Sequence, residues 1–332
     1  MTGAPERPDL SVVVVTRDSY RTLRPIVASL ACQTLASRIE LVVVAPDEAA
    51  GTIPASASVS FRSCRVVAVG PVSNRGRAAA AGAVAAQGSI VALTENHCFP
   101  IRDWAERTLE AHAAGWAGVG PSVVNANPSN AFSRVLHAAG YGGFPADGEP
   151  GEREELPLHN SSYRADVLKA YGAELGDLLA DERRLQRALR RDGHALYFCP
   201  RACKRHINEA TLGQLLGLAF DGGRRYAGVR AREWSRWRRS AYGLLSPALA
   251  VPIAANLRGR LGYGGSVGGT VSAALVAWIW ALTHALGEGA AYLRGEVGEF
   301  PYTEEDEFLI RERLGRHGVG DPEIGAWLAL LD

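Results

Sequence analysis

A glutamate, an asparagine and a histidine stand in direct succession at Glu95–His97, where the apolar run opening SIVALTENHCFPIRDW comes to an end. A carboxylate is a hard oxygen donor of the kind that holds Mg2+ or Mn2+, whereas an imidazole is softer, acceptable to Mn2+ and poor for Mg2+. The competing reading gives Asn96 or His97 the task of capping a turn before Pro100. Asp181 and Glu182 open a second charged stretch, LADERRLQRALRRDG. Taken alone, acidic residues at a helix start are simply favourable there. Cys199 and Cys203 are four apart with no second pair near them, a weak pattern for zinc. His206 follows in CPRACKRHIN, beside Lys204 and Arg205; taken alone it reads as a surface histidine.

The elements that must position these groups alternate. LSVVVV at Leu10–Val15 and IELVVVA at Ile39–Ala45 are continuous β-branched runs, read as strands covered on both faces. Arg65–Val69 and Ser89–Leu93 supply a third and a fourth strand. Helical spacing occupies Thr22–Ala31, Arg75–Gln87 and Trp104–Ala114, then Ala165–Tyr171 and Leu178–Arg191, before a strand-like His194–Pro200. GVGPSVVNANPSN at Gly118–Asn130 reads as a segment punctuated by Gly, Pro and Asn, and Gly140–Pro157 as a polar loop and candidate mobile lid. This alternation predicts an α/β fold with a largely parallel sheet.

The chain has 332 residues, 47% of them hydrophobic, enough for one large domain with an extension or for two domains. Its 36 basic and 35 acidic residues leave a formal charge of +1, so no global field draws a nucleic acid, and no nucleic-acid partner is expected. Five scattered cysteines do not make a disulfide scaffold. With an N-terminus that lacks a signal-peptide core, they predict a reducing, cytoplasmic setting.

The order of these elements resembles the family 2 glycosyltransferases, with the nucleotide-sugar-binding domain called GT-A, over roughly residues 10–210. The marks are the strand, polar break and helix of SVVVVTRDSYRTLRPIVASLACQT; IELVVVAPDEAA, with Asp47 near the strand end; and NRGRAAAAGAVAAQGSIVAL leading to Glu95–His97. LHNSSYRADVLKAYG resembles the family's acceptor-side segment, and Asp181-Glu182 its Glu-Asp motif in reversed order. The resemblance implies a GT-A type, mainly parallel open sheet flanked by helices, with a helical C-terminal extension. It divides the chain into a polar leader at 1–9, a transferase domain at 10–210 and a mostly helical region at 211–332. It implies an inverting glycosyltransferase acting on a nucleoside diphosphate sugar. Nucleotide-sugar contacts then fall to Thr16, Asp47, Arg75, Glu95, Lys204 and Arg205. Mn2+ or Mg2+ would be held by Glu95, His97 and His206. Glu182 would be the base that takes the acceptor's proton, with Asp181 as the acidic residue before it. Lys204 and Arg205 could instead neutralise the leaving phosphates without a metal. The alternative is a non-catalytic binding or scaffold protein that keeps the nucleotide-sugar fold. A sugar-phosphate nucleotidyltransferase would expect a glycine-rich loop where this chain has TRDSYRTLRP.

Beyond about residue 210 the character changes. Arg224–Arg239 carries seven arginines against one glutamate, with Tyr226, Trp234 and Trp237 interleaved; EWSRW partly resembles the Gln-x-x-Arg-Trp motif of membrane-bound members. Leu244–Ala255 and Val267–Leu286 are uncharged and mostly apolar. Two readings fit: peripheral association with an anionic membrane surface at the inner face of the cell membrane, or an arginine-rich helix packing its tryptophans inward. Val267–Leu286 is by the same token a buried helix, a homodimer contact or a span. A lipid-linked acceptor fits this region and a small metabolite fits the chain's size.

Overall fold

The structure, a computed structural model, describes residues 8–208, 211–261, 267–295 and 319–331. They fall into two compact units, one drawn from residues 1–124, 144–206 and 304–332, the other from 125–143 and 207–303.

The first unit is built on a nine-stranded sheet of order β3-β2-β1-β4-β8-β6-β9-β5, with β7 paired to β9. The β-branched runs form β1 (Leu10–Val15) and β2 (Ile39–Ala45), buried along their whole length as central strands must be. β2 and β4 (Ile90–Leu93) flank β1 in parallel, and β3 (Ser63–Ala68) extends the parallel half beyond β2. At the amino ends of these strands the buried Glu40 accepts from Ser11 Oγ (2.5 Å), Arg65 Nε (3.2 Å) and the Gln87 amide (2.7 Å). That network leaves the carboxyl ends as the open rim, the usual place for a ligand.

From β8 (Ser162–Arg164) onward the neighbours run antiparallel: β8 to β4, β6 (Gly118–Asn125) to β8, and β5 (Cys98–Pro100) and β7 (Gly151–Glu152) to β9 (Leu196–His206). The parallel expectation therefore holds for the first half of the sheet only. The architecture, a partly antiparallel sheet flanked by helices with a helical C-terminal extension, is consistent with GT-A.

Of the punctuated segment Gly118–Asn130, the first eight residues form strand β6. Its glycines are there for close packing. A Cβ on Gly118 would lie 2.8 Å from Leu196 Cδ2, and one on Gly120 would lie 2.6 Å from Pro157 Cδ. The polar stretch read as a lid is pinned at β7, where Gly151 and Glu152 pair with Phe198 and Tyr197 and the Arg153 amide donates to Leu196 O (3.0 Å).

The chain's last described residues return to this unit. Pro322–Leu328 forms a helix capped by Asp321. Arg205 clamps it by bonding Asp321 (2.7 Å) and Glu323 (2.8 Å), and Arg21 donates to Leu331 O.

In the second unit the helices Leu212–Arg230, Arg236–Leu245 and Ala250–Arg260 pack against the long helix Val267–Arg294. Glycine permits the approach: a Cβ on Gly223 would lie 2.0 Å from His284 O, and one on Gly287 would lie 2.1 Å from Phe220 O.

Candidate active site

β4 delivers Glu95 to the rim. The turn that follows is closed by the Cys98 amide donating to Glu95 O (3.3 Å), and β5 begins at Cys98. The Asn96 and His97 side chains meet each other there, His97 Nδ1 lying 3.0 Å from Asn96 Oδ1. Because Cys98 pairs with His206 across β5 and β9, the last residue of β9 lands beside this turn. His206 Nε2 lies 3.3 Å from Glu95 Oε2, and the His97 and His206 rings meet edge-on at 4.6 Å.

One ligand atom from each of Glu95, His97 and His206 fits within a 4.8 Å span. Coordination bonds of about 2.1 Å put the ligand atoms of one ion roughly 3 to 4.3 Å apart, so small side-chain adjustments close the set around a cation. Protonation favours this too. Burial opposes ionisation of Glu95, but His97, His206 and Arg75 outweigh it and hold the carboxyl well below its ordinary range. Burial pushes the His97 imidazole down to about 3, so it stands neutral. An ionised carboxylate with a neutral imidazole is the form a metal requires. Asn96 Nδ2, buried without a hydrogen-bond partner among the described residues, adds a donor that a bound oxyanion would satisfy. The residues present fit a divalent cation.

The second carboxylate reaches the same place from another helix. Asp181 caps Glu182–Arg191, accepting from the Arg183 amide at 3.3 Å, and stays half-exposed. Glu182, the first helical residue, is only 1% exposed. Its Oε1 accepts from Tyr163 on β8 (2.5 Å), and its Oε2 accepts from the His159 amide. Gln186, one turn on, donates to the Tyr163 hydroxyl (3.0 Å) and fixes it. Burial pushes the Glu182 carboxyl up to about 7, against the hydrogen bonds from Tyr163 and His159 and the pull of Arg75; the Glu95 charge pushes it further the same way.

His159 and Asn160 join the two carboxylates. His159 has φ of 64°, the left-handed region that few residues other than glycine enter. Its amide serves Glu182, while the next side chain, Asn160 Nδ2, donates to Glu95 Oε2 at 2.6 Å. Arg75 opens the helix Arg75–Ala85, is buried, and donates to His159 O at 3.5 Å. Gly76 makes that position reachable: a Cβ there would lie 1.9 Å from Leu179 O, on the turn that leads to Asp181.

The remaining sequence-expected residues lie as follows. Thr16 directly follows β1, buried, its hydroxyl donating to Asp18 Oδ1 (2.9 Å). Asp47 lies exposed beyond the carboxyl end of β2 and caps Glu48–Gly51 through the Ala50 amide (2.8 Å). Lys204 is fully buried, with Nζ on Leu93 O (3.3 Å), on Thr94 Oγ1 (3.2 Å) and over the Trp104 ring; burial lowers it to about 8. Arg205 is spent on the C-terminal helix. Sequence reasoning missed His159, Asn160, Tyr163 and Gln186. The segment LHNSSYR drew attention as a block, but no spacing in it singles out a partner 65 residues away.

No protein-family model and no curated protein matches the chain. Among solved structures it is similar to GalNAc-T7, crystallised with UDP, GalNAc and Mn2+, at 13% identity and a TM-score of 0.45 over 62% of this chain and 45% of that one. It is also similar to S. aureus TarS, at 14% identity and a TM-score of 0.41 over 77% of this chain and 49% of that one. The chain thus spans about half the length of each of these proteins.

Proposed function

We propose that the protein is a GT-A glycosyltransferase that moves a sugar from a nucleoside diphosphate sugar to an acceptor hydroxyl, with inversion at the anomeric carbon. The supporting observation is the convergence of Glu95 and Glu182 on the His159–Asn160 dipeptide, one ionised among imidazoles and the other poised near neutrality. Glu95, His97 and His206 would hold Mn2+ in preference to Mg2+, since two of three donors are imidazole nitrogens. The bound ion would supply positive charge to the diphosphate.

In the proposed reaction the acceptor oxygen attacks the anomeric carbon and passes its proton to Glu182. The bond from that carbon to the diphosphate breaks, and the nucleoside diphosphate leaves with the electron pair. A base with a pKa near 7 is matched to this task at neutral pH. Arg75, buried and pulling on both carboxyls, provides a fixed cation for charge developing on the leaving group. We place the nucleoside near Thr16 and Asp47, at the ends of β1 and β2. Lys204 and Arg205 stay outside phosphate binding in this reading, because internal partners already hold their charged ends.

A second reading makes Asp181 the base, on the observation that it is half-exposed whereas Glu182 is sealed beneath Tyr163 and His159. Titrating UDP and GDP with and without Mn2+, then screening nucleotide sugars for slow hydrolysis, tests the proposal. Glu182→Gln should abolish turnover while nucleotide binding survives, and Asp181→Asn should retain most of it. The reverse pattern moves the base to Asp181. Absence of nucleotide affinity with either metal state leaves a scaffold that has kept the fold.

A further inference from the structure

The helical unit carries a row of large apolar side chains on its outside, while small residues line much of its helix-to-helix contact. The long helix Val267–Arg294 buries mainly small residues, Ala273, Ala277, Ala281, Ala285, Gly289 and Ala291, with Val276, Glu288 and Tyr292 as the larger exceptions. It exposes Val271, Leu275, Trp278, Leu282, Leu286 and Leu293, each 46–64% accessible. At 100° per residue those six fall within roughly an 80° arc, a single stripe running about 33 Å along the helix. The partner helix Leu212–Arg230 likewise buries Ala219, Gly223, Ala227 and Gly228, with Leu215 the one large buried side chain. Water drives large apolar side chains inward and leaves small ones little to gain. Where lipid is the solvent that drive vanishes, and small residues face each other so that helices pack closely.

The preceding segment repeats the pattern. Between Ser240 and Leu257 there is no charged residue, and Leu244, Leu245 and Val251 are 59–73% exposed. Its two ends are arginine: Arg236, Arg238 and Arg239 with the 79% exposed Trp237 at one, Arg258 and Arg260 at the other. Arg236–Arg260 and Val271–Arg294 are both long and apolar enough to cross a membrane by composition, yet only 28% and 39% of their apolar windows are buried, unlike the core helices of a water-soluble protein.

Charge selects the occupant. Residues 207–295 hold ten arginines, no lysine and four acidic residues, whereas the rest of the chain has more acidic than basic residues. A second copy of this surface would bring arginine rim against arginine rim. An anionic headgroup layer would neutralise the rim while acyl chains cover the stripe. The orientation is in the plane of the membrane, because Leu212–Arg230 packs along the long helix and carries Asp221, Arg224 and Arg225 at mid-length. A crossing would drag those charges through hydrocarbon.

We propose that the Val271–Leu293 stripe and the Leu244–Val251 stretch form a monotopic docking face for an anionic lipid bilayer. The inference stands apart from sugar transfer.

The full chain is floated with vesicles of phosphatidylcholine alone and of phosphatidylcholine mixed with phosphatidylglycerol. Binding should favour the anionic vesicles by roughly tenfold or more at low salt and weaken as salt is raised. Leu275→Glu with Leu282→Glu should lower partitioning by roughly a hundredfold. Both positions are exposed, so the circular-dichroism melt in buffer should not move. The same double variant separates the alternatives by sedimentation. Indifference to both vesicle types overturns the proposal, and so does a wild-type dimer that the substitutions convert to monomer without any effect of lipid.

Discussion

Replacing Glu182 by glutamine should make the protein more stable above neutral pH while removing its activity, and the size of the gain can be worked out. The carboxyl rises from its ordinary 4.5 to about 7 in the folded chain, with burial as the leading cause. The folded state therefore holds a proton that the unfolded state has released throughout that interval. Stability is undiminished below 4.5, falls as the pH climbs toward 7, and levels off above it. Between about pH 5 and about pH 8 the lost stability is roughly 2.5 kcal/mol, from about 1.4 kcal/mol per pH unit with both ends rounded by partial titration.

Glutamine does not titrate, so it escapes this loss. Its amide would also face the His159 amide, donor against donor, at a cost of about 1–3 kcal/mol that is the same at every pH. The informative quantity is thus the difference between variant and wild type at the two pH values, in which the pH-independent cost cancels. Urea unfolding in the presence of a chelator, followed by a probe confined to the sheet-bearing unit, supplies it. A relative gain of about 2 kcal/mol or more on going to the higher pH supports a neutral, buried acid. A double difference near zero would mean that Glu182 is ionised at an ordinary pKa, and its candidacy as a base near neutrality would fall.

Two further outcomes follow from the same contacts. Tyr163→Phe removes a 2.5 Å hydrogen bond that stabilises the Glu182 carboxylate, so the rising limb of the pH–rate profile should move up from about 7 by roughly one pH unit or more; a rate loss equal at all pH values would show that Tyr163 acts otherwise. Gly76→Ala should lower stability by about 1–3 kcal/mol despite alanine's better helix propensity, because its Cβ would meet the Leu179 carbonyl at 1.9 Å, and thermal melts check the sign.

The parallel half of the sheet was legible because its strands announce themselves: LSVVVV and IELVVVA have the apolar continuity that only burial on both faces requires. The antiparallel half was not. In GVGPSVVN the glycines and proline imitate turn signals, while their actual reason is the approach of Leu196, Leu156 and Pro157 from elsewhere in the chain. Glu95, Asp181, Glu182 and His206 stood out by residue type, yet nothing local said that β5–β9 pairing would bring His206 to Glu95. Asn160 and Tyr163 are ordinary residues in sequence, and their importance comes from partners 65 and 19 positions away. The docking of the Asp321-capped last helix on Arg205 likewise has no local signal, since it joins residues more than a hundred positions apart.

What the fold adds to the residue list is a separation of two carboxylates that would otherwise behave alike. Glu95 and Glu182 are both buried, and the Glu95 charge raises the cost of ionising Glu182. The outcome differs because their partners differ: two imidazoles and an asparagine amide surround one, while a phenol, a backbone amide and the His159 imidazole at 3.7 Å, which burial keeps neutral, surround the other. One carboxyl is driven down and the other up. Pairs pushed apart in this way carry distinct roles in acid–base chemistry, the low one as a permanent anion and the high one as a proton acceptor. The left-handed turn at His159 makes the division possible, since it aims one residue's amide at Glu182 and the next residue's side chain at Glu95. A strained backbone of that kind persists only where its surroundings over-determine it, and here both carboxylates do so.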